Sequence, residues 1–101
     1  MKNTELFGIA QANFTKRFNI LRAKNSDYAG NDDALKNFKL VEFLGICPVE
    51  VGILVRMCDK MSRMATLINT PPKVADESFE DTALDLCNYT DILLAARKEK
   101  Q

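Results

Sequence analysis

The sequence contains no histidine and no tryptophan. Without imidazole, neither a Ser-His-Asp nor a Cys-His catalytic arrangement can form, and zinc sites with imidazole ligands are excluded. The three cysteines, Cys47, Cys58 and Cys87, lack the CxxC spacing of metal or redox motifs. We therefore expect buried free thiols in a reducing cytosol. Any chemistry must rest on carboxylates, lysine, arginine, tyrosine or a hard metal ion.

The chain also lacks net charge, because its 14 basic side chains balance its 14 acidic ones. This balance argues against general nucleic-acid binding and leaves room only for a local anion site. The sequence has neither a run of about 18 apolar residues nor a signal-peptide core, so we expect a cytoplasmic protein without a membrane partner. A length of 101 residues predicts a single domain. Because so small a domain buries a limited fraction of its surface, we expect a homo-oligomer.

Helix signals divide the chain into four segments, and no segment alternates in the manner of a strand. The first helix is predicted to begin at Asn3 or Thr4 and to end at about Lys24. Turn-forming residues predict a loop over 25–33. Asp32 or Asp33 then caps a short helix that stops at Gly45.

A third helix is predicted from Pro48 to about Asn69, with Pro71 and the proline after it as a firm stop. The fourth begins near Asp76 or Ser78 and runs to about Lys98. The sequence thus predicts one all-α domain over 1–101, a small helical bundle of three long helices and one short one. An apolar stripe on the third helix is expected to pack in the core; its members are Leu54, Met57, Met61, Met64 and Ile68.

Two polar stripes stand out on the third and fourth helices. At 100° per residue, each falls within about 100° of arc on its helix. One interpretation is a pocket between the helices, where carboxylates bind Mg²⁺ and basic side chains hold phosphates. The alternative is that both stripes are solvated or form structural ion pairs. The acidic stripe is Glu77, Asp81, Asp85 and Asn88, and the basic one is Arg56, Asp59, Lys60 and Arg63.

Three segments carry a family resemblance: KNSDYAGNDDALKNF (24–38), LVRMCDKMSRMATL (54–67) and DESFEDTALDLCNY (76–89). In order and spacing they resemble the phage-associated nucleotide-modification-associated domain family, over roughly 18–96. A more distant similarity is to the all-α MazG-type nucleoside triphosphate pyrophosphohydrolases, which hold Mg²⁺ with an ExxE and an ExxD pair. Here Arg56 and Asp59 stand for the first pair, and Asp85 and Asn88 for the second, so that two of the four carboxylates are missing.

The resemblance implies a phage-type nucleotide-binding protein, located in the host cytoplasm if phage-encoded. Three functions stay open: a Mg²⁺-dependent pyrophosphohydrolase, a non-enzymatic protein that sequesters a nucleotide-derived defence signal such as a cyclic nucleotide, and a structural or protein-interaction module. The hydrolase would use Asp81 and Asp85 as catalytic residues, and its metal ligands would be Asp59, Glu77, Asp81 and Asp85. The ligand-binding candidates are Lys24, Asp27, Tyr28, Asn37, Arg56, Lys60, Arg63 and Asn88.

Overall fold

Four α-helices make up the fold. The computed structural model describes residues 1–29, 33–71, 73 and 78–101, and for 27–29 it describes the backbone only. The predicted all-α class, with three long helices and one short one, is confirmed for these residues, which contain no strand. The helices are α1 (Asn3–Ala29), α2 (Lys36–Phe43), α3 (Val49–Leu67) and α4 (Phe79–Glu99).

The predicted helix boundaries are confirmed where one residue determines the backbone conformation at the helix end or caps the helix. Gly45, with φ +75°, lies just beyond α2 in the left-handed region that glycine adopts without strain. Pro48 is the N-cap residue of α3. At the start of α4, the Ser78 hydroxyl accepts a hydrogen bond from the Asp81 backbone N–H at 3.1 Å. The Asp33 carboxylate accepts from the Leu35 N–H at 3.0 Å just before α2, but the N-cap residue is Leu35, which has no side-chain cap, so the predicted cap at Asp33 is displaced by two residues.

The predicted loop over 25–33 is wrong in its first half, because α1 continues to Ala29. Residues 25–29 contain neither glycine nor proline. The turn-forming side chains among them each lower helix propensity by less than about 1 kcal/mol, which does not suffice to end a helix already formed. The alternative cap residues Asp32 and Asp76 lie outside the described part of the chain.

The core lies between α3 and α4, which run antiparallel and share the largest contact in the fold. Ile53 on α3 is fully buried at its centre, next to Phe38 of α2 and Ala96 of α4. At Gly52, an added Cβ would lie 2.9 Å from Val41 Cγ2, so α2 approaches α3 closely here. The atom that leaves no room for a side chain at position 52 thus belongs to the side chain of Val41. α1 packs against α4 and α2 and completes the bundle.

The predicted core stripe of α3 is wrong for three of its five members. Leu54, Met61 and Ile68 are 47%, 62% and 66% exposed, whereas Met57 packs against the core and Met64 is half-buried. The physical reason is that α3 carries apolar residues on two sides, and only one side faces α4. The expected burial of the thiols is also wrong for Cys58 and Cys87, which are exposed; all three cysteines are free.

The first half of α1 is exposed along its whole circumference. Phe7 and Phe14, on its apolar side, are 63% and 52% exposed. Within the described residues, no helix combines the length and the hydropathy that crossing a membrane requires.

Candidate phosphate-ligand site

A small cavity lies where all four helices meet. Its volume is about 60 Å³. Its apolar wall consists of Leu21 from α1, Phe38 from α2, and Tyr89 and Ile92 from α4. The helices also bring six polar side chains to it, namely Lys24, Asn25, Asn37, Arg56, Asp85 and Asn88.

Asp85 binds two lysines from two different helices. Its Oδ1 accepts from Lys24 Nζ of α1 at 3.1 Å, and its Oδ2 lies 3.4 Å from Lys60 Nζ of α3. The Asp85 side chain is 19% exposed, so this pairing is partly shielded from water. One carboxylate from α4 therefore connects α1 and α3 at the rim of the cavity.

Arg56 brings a third cation to the cavity. Its guanidinium lies over the Phe38 ring, 4.7 Å from the centroid, where the negative face of the ring attracts it. Phe38 in turn meets Tyr89 edge-on, with ring centroids 6.3 Å apart. Together with Lys24, Lys60 and Asp85, Arg56 makes a set of three cations and one carboxylate. These four side chains carry a net charge of two positive units, which favours an anion.

Asn88 is buried and joins α4 to α1 while also lining the cavity. Its Nδ2 donates to the Arg17 carbonyl at 2.9 Å, and its Oδ1 accepts from Arg17 Nη1 at 3.4 Å. The Arg17 guanidinium also pairs with Asp91, one turn further along α4. Sequence reasoning missed Arg17, although the spacing of Asn88 and Asp91 on one side of α4 was a signal for a basic partner.

A wider groove adjoins the cavity between α1, the start of α2, and α4. It has a volume of about 480 Å³ and shares Leu21, Asn25 and Ile92 with the cavity. Pockets that hold small organic ligands have volumes of about 300–1,000 Å³. The groove is of this size, whereas the cavity alone is too small for more than a fragment of such a ligand. Arg22 and Ser26 add polar groups to the groove wall.

The structure brings five of the sequence-predicted site residues to the cavity and leaves others apart. Lys60 reaches the cavity through Asp85, whereas Arg63 is half-buried on α3 and does not line it. The side chains of Asp27 and Tyr28 lie outside the described residues, as does Glu77. The five residues that line the cavity are Lys24, Asn37, Arg56, Asp85 and Asn88.

The predicted carboxylates do not converge on one point within the described residues, where no group of three acidic or cysteine side chains could hold a metal ion. Asp59 is exposed on α3. The Asp81 carboxylate accepts a hydrogen bond from the Ser78 hydroxyl at 2.8 Å, in its own cap. Asp85 is neutralised by two lysines. Asp59, Asp81 and Asp85 thus do not supply several oxygen ligands at one centre, as a Mg²⁺ site needs, and the fourth predicted ligand, Glu77, lies outside the described residues.

Two further groups of ion pairs connect helices of the bundle at positions that do not line the cavity. Glu50, at the start of α3, accepts from Arg97 at 2.8 Å and lies 3.1 Å from Lys100. The hydrogen bond from Lys100, with a smaller contribution from Arg97, lowers the pKa of Glu50 below its ordinary value.

The second group centres on Lys39 of α2, which pairs with Asp33 and Glu99 at 2.7 Å each. Its hydrogen bonds, first to Asp33 and then to Glu99, raise the pKa of Lys39, and the same contact with Lys39 lowers the pKa of Asp33. Both groups are structural ties between helices and lie apart from the cavity residues.

No family model, curated protein or solved structure matches the chain.

Proposed function

We propose that the protein binds a phosphate-bearing ligand of nucleotide type without cleaving it. The observation that carries this proposal is that Lys24 and Lys60 pair with one carboxylate, Asp85, at a cavity that all four helices build and that Arg56 also lines. Arginine binds phosphate oxygens through its planar fork, and lysine adds a point charge. Because the cations outnumber the carboxylate, an incoming phosphate is attracted.

The surroundings of the cations match the rest of a nucleotide. The cavity seats the phosphate, and the sugar and base extend into the adjoining groove past Asn25. Amide side chains such as Asn25 and Asn37 can both donate and accept hydrogen bonds, as base edges and sugar hydroxyls require. The apolar wall, which includes Leu21 and Ile92, runs from the cavity into the groove and provides contact for a base.

The contacts of the two carboxylates that were predicted to be catalytic support binding without hydrolysis. Asp85 is engaged by two lysines, and Asp81 by its own helix cap. Sequestration of a nucleotide-derived signal, one of the three functions that the sequence leaves open, needs only such a binding site. Mg²⁺-dependent hydrolysis needs a set of ligands that the described residues do not bring together.

Calorimetry with nucleoside mono-, di- and triphosphates, cyclic dinucleotides and free nucleosides, in the presence of EDTA, tests the proposal. We expect phosphorylated ligands to bind and free nucleosides to bind at least about tenfold more weakly, since charge-assisted hydrogen bonds contribute about 1.5–3 kcal/mol each. Chromatography of each mixture, with and without Mg²⁺, shows whether the ligand is recovered intact. Recovery of cleaved products would replace the proposal with hydrolysis, and a panel without any binding would refute it.

Matched variants locate the ligand. Lys24→Ala is expected to weaken binding by about ten- to a hundredfold, whereas Lys16→Ala, which removes an exposed lysine two turns earlier on α1, leaves it unchanged. Arg56→Lys keeps the charge but loses the fork, and it should weaken binding by about tenfold. Equal affinities for Lys24→Ala and Lys16→Ala would place the ligand elsewhere on the molecule.

A further inference from the structure

A second apolar stripe runs along α3 on the side that faces away from α4 and α2. Its members, which we call the outer stripe, are all exposed in the single chain; Met61 and Ile68 are 62% and 66% exposed. A helix that is apolar on two sides is normally covered on both. The inner side is covered by α4, and the outer stripe is open. The outer stripe consists of Val51, Leu54, Cys58, Met61, Ala65 and Ile68.

The spacing of the outer stripe is that of a coiled-coil seam. Successive members are three, four, three, four and three residues apart, as the a and d positions of a heptad require. From Val51 to Ile68, the C-cap residue of α3, the stripe extends over about 25 Å at 1.5 Å per residue. No charged residue occupies an a or d position. The e positions that flank the seam, Val55, Ser62 and Asn69, are uncharged as well.

We propose that the outer stripe pairs with the outer stripe of a second copy of this chain, with the two α3 helices antiparallel. In an antiparallel seam each a position faces a d position of the partner helix. The outer stripe satisfies this rule when a twofold axis passes between residues 59 and 60. Each facing pair of residues then forms one layer of the seam, with a larger side chain packed against a smaller one, and this pairing favours close packing. The layers are Val51 with Ile68, Leu54 with Ala65, and Cys58 with Met61, and each occurs twice.

A second copy fits this surface better than an unrelated partner for two reasons. The pattern is self-complementary, which is what a twofold interface between identical chains demands. The uncharged flanks also matter, because identical helices would otherwise set like charges against each other. Glu50, the charged residue at the g position near one end, is already neutralised within its own chain by Arg97 and Lys100.

Sedimentation velocity of the intact chain at micromolar concentration tests the pairing. We expect a dimer for the natural sequence. Met61→Glu places a charge in the seam of each copy and should raise the dissociation constant by at least about 100-fold, whereas Thr66→Glu, an exposed position on α3 outside the seam, leaves it unchanged. Circular dichroism verifies that each variant is helical. A monomeric natural chain, or a dimer that persists with Met61→Glu, would overturn the proposal.

Cross-linking tests the orientation and stays informative if Met61→Glu fails to fold. The starting chain carries Cys47→Ser and Cys87→Ser and keeps Cys58. Adding Met61→Cys places the new thiol opposite Cys58 of the second copy, so mild oxidation should give a covalent dimer. The starting chain alone, and the same chain with Thr66→Cys, should stay monomeric on a non-reducing gel. Cross-linking of the starting chain itself would indicate a parallel seam, and absence of cross-linking with Met61→Cys would exclude the antiparallel one; either result overturns the proposal.

Discussion

Replacement of Gly52 by alanine sets two energies of opposite sign against each other. Alanine has a higher helix propensity than glycine, which stabilises a helix interior by about 1 kcal/mol. The added methyl group, however, would lie 2.9 Å from Val41 Cγ2. Valine is stiff at χ1 within a helix, so this atom cannot swing aside. Overpacking of this kind costs about 1–3 kcal/mol, and we expect Gly52→Ala to lower the free energy of unfolding by about 1 kcal/mol.

A double-mutant cycle isolates the contact between α2 and α3. In a Val41→Ala background the clash disappears, and Gly52→Ala should then stabilise the protein by about 1 kcal/mol. The coupling energy between the two sites is therefore expected to be about 2 kcal/mol. Urea unfolding followed by circular dichroism, at one protein concentration for all four chains, measures it. If Gly52→Ala is equally stabilising in both backgrounds, the close approach of Val41 to Gly52 is refuted.

Two further predictions concern the core and the ion pairs. Ile53→Ala removes the fully buried side chain at the centre of the bundle and should cost about 2–5 kcal/mol by urea unfolding. Leu54→Ala, on the outer stripe next to it, should cost less when both are made in the Met61→Glu chain, whose seam is disrupted. Equal costs in that background would contradict the assignment of the core. For Glu50, the folded-state pKa lies below the unfolded one, so its contribution to stability is present above the ordinary glutamate pKa and is lost as the pH falls through the folded value. In thermal unfolding at pH 7, the natural chain should therefore have a higher midpoint temperature than Glu50→Gln, and this difference should shrink as the pH is lowered from 7 to 3. A difference that grows in acid would refute the pairing with Lys100.

The ends of helices could be predicted from the sequence where one residue meets a specific need of the backbone there, either a positive φ or a hydrogen-bond acceptor for a free N–H. Gly45 ends α2 because its φ is positive, and Ser78 begins α4 because its hydroxyl accepts an orphan backbone N–H. It failed at 25–29, where side chains that favour turns are no obstacle to a helix that lacks a glycine or proline. Such residues indicate a possible loop, but they do not enforce one.

Sequence periodicity also failed to tell the two apolar sides of α3 apart. Ile53 is fully buried and Leu54 is 47% exposed, although the two residues are adjacent and equally apolar. Only the position of α4 decides between them. For the site, helical spacing left structural ion pairs open for the two polar stripes, and Lys60 and Asp85 form such a pair. Helical spacing could indicate a basic partner for Asn88 and Asp91 but could not identify it as Arg17, because a hydrogen bond between residues 71 positions apart depends on how α1 packs.

The role of Asp85 tests the central claim most directly. Asp85→Asn keeps the shape of the side chain but removes the negative charge that now neutralises Lys24 and Lys60. If the cavity binds phosphate through these cations, calorimetry in EDTA should show that Asp85→Asn binds a nucleoside triphosphate about tenfold more tightly than the natural chain, a gain of about 1.4 kcal/mol that diminishes at high salt. Loss of binding, or turnover that requires Mg²⁺ and disappears in Asp85→Asn, would contradict the account and assign Asp85 to a metal site.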